Sequence, residues 1–194
     1  MRQAPVTEEQ TVEAEVKLAC GDLDRLRNAG FELIIVQPRH FEDNWLLDSA
    51  DQTLLKQGAA LRIRSVEAKG WLTYKGVVRA GSSPVKVREE IEMETAAPDR
   101  MFELFERLGF QRSFRYQKYR TSYRLSIDSR DLKVVLDETP IGNFIEIEGD
   151  EGTVSRVFEA AGFSAGEIVR ESYPELQASR CRKRGVPLED LVFK

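Results

Sequence analysis

Along this chain, apolar and long charged side chains alternate with a period of two in one stretch after another. In TVEAEVKL, residues 11–18, Val12, Ala14, Val16 and Leu18 fall on one face of an extended strand, and Glu13, Glu15 and Lys17 fall on the other. The alternation returns in ALRIRS with Arg62 and Arg64, in WLTYKG with Lys75, and in VKVREEIEM with Arg88, Glu90 and Glu92. It returns again in YQKYRT with Lys118 and Arg120, and in FIEIEG with Glu146 and Glu148. Each stretch predicts a strand with one charged face. FELIIVQ is a further strand that Pro38 interrupts, HFEDNWLLD is the next, and residues 49–58 read as a turn region. ALRIRS and WLTYKG form a hairpin, and a loop at 81–84 leads into VKVREEIEM. FRYQKYRTSYRL and LKVVLDE are long strands, followed by a tight turn at 140–142.

Three segments switch to helical spacing. Asp22 caps a helix that turns Leu23 and Leu26 inward and stops at Gly30 and Phe31. Pro98 and Asp99 open a second, with Met101, Leu104, Phe105 and Leu108 at helical intervals before Gly109 and Phe110. A third covers 153–161 and stops at Gly162 and Phe163. The distances from Glu15 to Gly30, Glu92 to Gly109 and Glu148 to Gly162 are similar, so a strand–helix–Gly–Phe module recurs three times. Residues 1–10 read as a flexible lead, 11–177 as the folded domain, and 178–194 as a helical or irregular tail. The segment from Ser164 is expected to lie at the periphery, with Val192 and Phe193 docking.

Composition narrows this to one domain: 194 residues, 41% hydrophobic and 32% charged, suffice for a single core. No apolar run is long enough to span a bilayer and no charged-then-apolar leader opens the chain, so a soluble cytoplasmic protein with no membrane partner is expected. The net charge of −4 argues against a nucleic-acid surface. The basic cluster Arg180, Arg182, Lys183 and Arg184 is a solvated helix face, and Cys20 and Cys181 are reduced thiols without metal spacing. His40, Ser82 and Ser83 lack the partners that catalysis would need.

Two arrangements fit the charged faces. They can point to solvent from a sheet covered on its apolar side, or they can line the inside of a closed barrel whose helices cover the outside. At least eight candidate strands, and polar faces built from Glu, Asp, Lys and Arg instead of Ser or Thr, point toward closure. A lining of Glu13, Glu15, Glu90, Glu92, Asp137, Glu146 and Glu148 then meets one of Lys17, Arg62, Arg64, Lys75, Arg88, Lys118 and Arg120. Carboxylates without His or Cys suit Mg²⁺ or Mn²⁺, and clustered Arg and Lys suit phosphate oxygens. A polyphosphate carrying a hard metal satisfies both signs.

The Glu-x-Glu-x-Lys of Glu13, Glu15 and Lys17, the ALRIR, TYKG, REEIE and KYR segments and the closing VVLDETPIGNFIEIEG together resemble the CYTH, or triphosphate tunnel metalloenzyme, superfamily. The resemblance runs in order over roughly residues 11–177. It implies an α+β fold: an eight-stranded antiparallel β-barrel, a tunnel with a charged interior covered by peripheral helices. It also implies a divalent metal, Mg²⁺ or Mn²⁺, and a small-molecule triphosphate substrate, with a homodimer the one protein assembly considered. By resemblance, Glu13, Glu15, Glu146 and Glu148 match metal-binding carboxylates, assisted by Glu92 and Asp137. Arg62, Arg64, Lys75, Lys118 and Arg120 match phosphate-holding cations, joined by Arg88. Lys17 contacts phosphate or orients the nucleophile, and Lys17, Arg64 and Glu148 form the catalytic set. Glu42, Asn44 and Asp48 resemble a weaker pattern that touches the distal end of the substrate, or else form a capped turn. Metal-dependent triphosphate hydrolysis is the leading activity; class IV adenylyl cyclase and a non-catalytic polyphosphate or nucleotide binder are the alternatives.

Overall fold

The computed structural model describes residues 12–79 and 84–194, and the lead at 1–10 and the loop residues Ser82 and Ser83 lie outside them. Eight antiparallel strands close into a barrel. They are β1 (Val12–Leu18), β2 (Ile34–Ser49), β3 (Ala60–Val66), β4 (Lys69–Lys75), β5 (Lys86–Thr95), β6 (Phe110–Ile127), β7 (Arg130–Thr139) and β8 (Gly142–Glu148). Their order around the barrel is β1-β5-β4-β3-β2-β6-β7-β8. β1 completes the circle by pairing at Val12–Glu15 with β5 and at Glu15–Leu18 with β8.

Closure decides between the two sequence readings. Glu13, Glu15, Lys17, Arg62, Arg64, Lys75, Lys118, Arg120, Glu146 and Glu148 point inward, and apolar residues at the alternate positions pack under helices on the outside. α1 (Asp24–Asn28) and α4 (Glu151–Ala160) cover one side, where Val16, Leu18, Val134 and Ile147 meet Leu26 and Val157. α2 (Thr53–Gln57) and α3 (Pro98–Arg107) cover another, where Leu47, Leu61 and Ile63 meet Phe102. α5 (Tyr173–Arg184) lies over β6. The three Gly–Phe stops are real turns: Gly30, Gly109 and Gly162 all take positive φ, and the Phe31 and Phe163 amides reach back to the carbonyls of Leu26 and Phe158.

Several local expectations are corrected. Pro38 does not break its strand, because it falls where the β2–β6 register shifts between Gln37 and His40, and a bulge needs no ladder amide there. The turn region contains α2, since the Asp48 carboxylate accepts the Leu54 and Leu55 amides at 3.0 and 2.9 Å and supplies the cap. In α3 the buried residue is Phe102, with Met101 and Phe105 beside it, while Leu104 and Leu108 are exposed. The C-terminal segment is also less peripheral than expected. Leu191 is buried and exchanges backbone hydrogen bonds with Arg115 and Gln117 of β6, and Tyr173 enters the barrel interior.

Candidate active site: a charged tunnel

The interior holds a cavity of about 570 Å³ between two walls of different make-up. β1 turns Glu13, Glu15 and Lys17 into it, and the β1–β8 register sets Glu15 opposite Glu148. Carboxylate oxygens of Glu13, Glu15 and Glu148 lie within 4.8 Å of one another. Cations flank the cluster: Lys75 lies 2.8 Å from Glu13 and 2.7 Å from Glu90, Arg88 reaches Glu13 at 3.1 Å and Glu15 at 3.4 Å, and Lys133 reaches Glu148 at 2.9 Å. Burial alone would raise the Glu13 carboxyl, but Lys75, a hydrogen bond from Glu90 and Arg88 hold it far below the usual carboxylate range. Glu90 goes the other way. Burial and that hydrogen bond to Glu13 push it up to about 7, so it carries the proton the pair shares. Three converging carboxylates with no nitrogen or sulfur donor suit a hard divalent cation, and they fit Mg²⁺ or Mn²⁺.

The opposite wall, from β2, β3, β6 and β7 with Lys17, Glu92 and Glu146 reaching in from β1, β5 and β8, is densely ion-paired. Asp137 is fully buried and accepts from Arg120 through both oxygens at 2.6 Å, from Lys118 at 2.8 Å and from the Tyr173 hydroxyl at 2.8 Å. Arg120 continues to Glu146 at 2.7 Å, and Glu146 pairs with Lys17 at 3.2 Å. Burial opposes ionising Glu146, yet Lys17 and Arg120 keep its carboxyl well below the normal range. Arg62 and Arg64 converge on Glu92 at 3.3 and 3.1 Å, and Arg64 also reaches Glu42 at 3.4 Å. Burial lowers the Arg64 guanidinium from its usual value, with Arg62 beside it adding to the effect. The Lys17 ammonium stays charged because Glu146 and Glu15 outweigh its burial, and it sits 4.5 Å from the centre of the Tyr173 ring.

All the charged residues selected from the sequence border the cavity except Asp137, which lies behind Lys118 and Arg120, and Glu42, which lies behind Lys118 and Arg64. They do not form one group. All six carboxylates selected for metal have cationic partners, but Glu13, Glu15 and Glu148 also converge on one another, whereas Glu92, Asp137 and Glu146 lie apart from that cluster. Glu42 and Asn44 are buried in the interior, while Asp48 is the cap of α2. Both amide atoms of Asn44 lack a hydrogen-bond partner among the described residues. Sequence reasoning missed Lys86, Lys133 and Tyr116, which share strand parity with selected neighbours and could have been found from it. It also missed Tyr173, which enters from a helix and carries no such signal.

The chain matches the CYTH domain profile over residues 11–173. A Methanocaldococcus jannaschii protein bearing the name putative adenylate cyclase is 26% identical over 181 residues, covering 86% of this chain and 98% of its own. A Vibrio parahaemolyticus structure with a similar name superposes with a TM-score of 0.69 at 18% identity, covering 88% of this chain and 99% of its own. A Hippeastrum structure, bearing the name putative adenylyl cyclase and described as revealing a dominant triphosphatase activity, superposes with a TM-score of 0.57 at 23% identity, covering 92% of this chain and 99% of its own. At those identities the two structures speak for the fold. Profile, closed barrel and charged interior agree, and the chain belongs to the CYTH domain family.

Proposed function

We propose that this protein hydrolyses the terminal phosphoryl group of a triphosphate, with a divalent cation held by Glu13, Glu15 and Glu148. The observation that carries the reading is the convergence of those three carboxylates beside an interior rich in Arg and Lys. Bound there, the cation would offset phosphate charge and polarise a phosphoryl oxygen. Lys17, Arg62, Arg64, Lys75, Arg88, Lys118 and Arg120 supply donors to the phosphate oxygens, and their charge opposes the negative charge of the transferring group. Lys17, Arg64 and Glu148 border the reacting phosphoryl group. Asp137, Glu92 and Glu146 act chiefly by aiming Arg120, Lys118, Arg62, Arg64 and Lys17, because their oxygens are already engaged by those side chains. No covalent nucleophile is needed; water attacks in line.

Incubation with inorganic triphosphate, thiamine triphosphate and ATP under Mg²⁺ or Mn²⁺, with products identified, tests this. Orthophosphate release is expected. Cyclic AMP with pyrophosphate would move the assignment to the cyclase that the name of the M. jannaschii relative suggests. Binding without turnover would make the chain a polyphosphate-binding module.

A further inference from the structure

The cavity changes character at one rim of the barrel. Antiparallel pairing brings the C-terminal ends of β2 and β4 and the N-terminal ends of β3 and β6 together there. The surfaces they present to the cavity are aliphatic, with Leu54 and Leu55 from α2, Val77 and Val78 beyond β4, and Pro174 and Leu188 from the C-terminal region. Leu55, Val77 and Leu188 are 62%, 59% and 54% exposed, so they are not core residues that happen to border a void. α2 sits close enough to the β4 exit that a Cβ placed on Gly58 would lie 3.9 Å from Val77 Cγ1.

Most polar groups at this rim are already paired within the protein, the exposed Gln52 at the start of α2 being the exception. Asp48 accepts the Leu54 and Leu55 amides, Ser113 donates to the Leu46 carbonyl, and Glu175 accepts the Ser172 amide and hydroxyl. A nucleobase placed here would lose water and gain few hydrogen bonds in return, a net cost for a ring edge dense in donors and acceptors. A bare inorganic triphosphate would leave the rim unused. A hydrocarbon group would gain from burial without polar loss.

We propose that the rim binds the organic end of an aliphatic triphosphate monoester, so that the substrate class is an alkyl or alkenyl triphosphate whose chain leaves the tunnel over Leu55, Val77 and Leu188. This rests on the triphosphate-hydrolase reading. Water oxygen bonds to the terminal phosphorus as the anhydride P–O bond breaks, giving orthophosphate and the alkyl diphosphate, and the proton passes to solvent. The remaining diphosphate ester is held only by the inner cations and the rim.

The test measures KM under saturating Mg²⁺ for inorganic, methyl, butyl and hexyl triphosphate and for ATP. KM is expected to fall along the alkyl series by up to about fourfold per methylene, the factor for a fully buried CH₂, until the rim is filled. The double variant Leu55→Ser, Val77→Ser should flatten that dependence, lowering the ratio of methyl to hexyl KM several-fold. Equal KM for methyl and hexyl triphosphate, or a lower KM for ATP than for hexyl triphosphate, overturns the proposal. If no triphosphate is cleaved, the hydrolase reading fails on its own. Calorimetric binding of methyl and hexyl triphosphate then decides the rim separately: tighter hexyl binding supports it, and equal binding overturns it.

Discussion

The two walls of the tunnel use the same residue types to opposite effect. On the wall of Asp137, Arg120, Lys118 and Tyr173, each charge has a counter-charge at hydrogen-bond distance, with two cations and a hydroxyl sharing the one carboxylate. On the wall of Glu13, Glu15 and Glu148, like charges converge, and the cations stand at the flanks. The first arrangement resists change because breaking a buried pair strands the partner. In the second, Lys75, Arg88 and Lys133 offset the charges from one side only, and three carboxylates that still face one another favour a further cation between them. Dense ion pairing and converging carboxylates thereby occupy different sides of one cavity.

Breaking the ion-paired wall should give the largest effect. Asp137→Asn leaves Arg120 and Lys118 buried without a full counter-charge, and chemical denaturation should show a loss of about 3–5 kcal/mol. A change below about 1 kcal/mol would erase the distinction between the walls. On the other side, Glu148→Gln should reduce metal-dependent turnover by at least about 100-fold, as loss of a cation-holding group does. Its melting temperature without metal should hold or rise, because a like charge has been removed. A melting temperature that drops as far as that of Asp137→Asn would show both walls to be structural.

Tyr173→Phe is a finer probe of the ion-paired wall. It deletes one of the donors to Asp137 and keeps the ring, so about 1.5 kcal/mol is expected, the low end for a hydrogen bond to a charged acceptor. The smallest effect is a pH slope from the carboxylate wall. Burial and the hydrogen bond to Glu13 put Glu90 at about 7, whereas an unfolded Glu titrates near ~4.3. The folded chain therefore holds a proton that the unfolded chain has released, and stability falls as pH rises from about 4.5 toward 7 and levels off above. Glu90→Gln should remove that part of the slope in apo-protein melts; an unchanged slope would assign it to other groups.

How the sequence anticipates this site follows from what strand parity can and cannot encode. Parity tells which face a side chain takes, so Glu13, Arg62, Lys118 and Glu148 were legible as interior residues before any coordinates. Parity is silent on height along the barrel axis, which register and strand tilt determine. Parity therefore could not tell that Glu13, Glu15 and Glu148 converge on one another while Glu92, Asp137 and Glu146 lie apart from that cluster. Pro38 was misread because a bulge changes the local count of residues, whereas for Asp48 the capped turn was one of two readings and the Leu54 and Leu55 amides bear it out. Leu104 and Leu108 fit helical spacing equally well, but the small contact face of α3 is centred on Phe102. Tyr173 was out of reach, since nothing local to a helix start announces which barrel it will enter.

The way β1 closes the barrel has a consequence for how the protein is made. Ribosomes release the chain from its N-terminal side, so Glu13 and Glu15 emerge long before Glu148, their partner across the β1–β8 seam. β1 can take its place beside β5 earlier, but the three-carboxylate cluster does not exist until β8 has been synthesised and docked. Such long-range pairing is slow, because the loop-closure entropy precedes the reward. The three-carboxylate cluster is therefore a property of the joined seam and of no nascent fragment that lacks β8, and any cation it holds would act as a latch on a seam already formed.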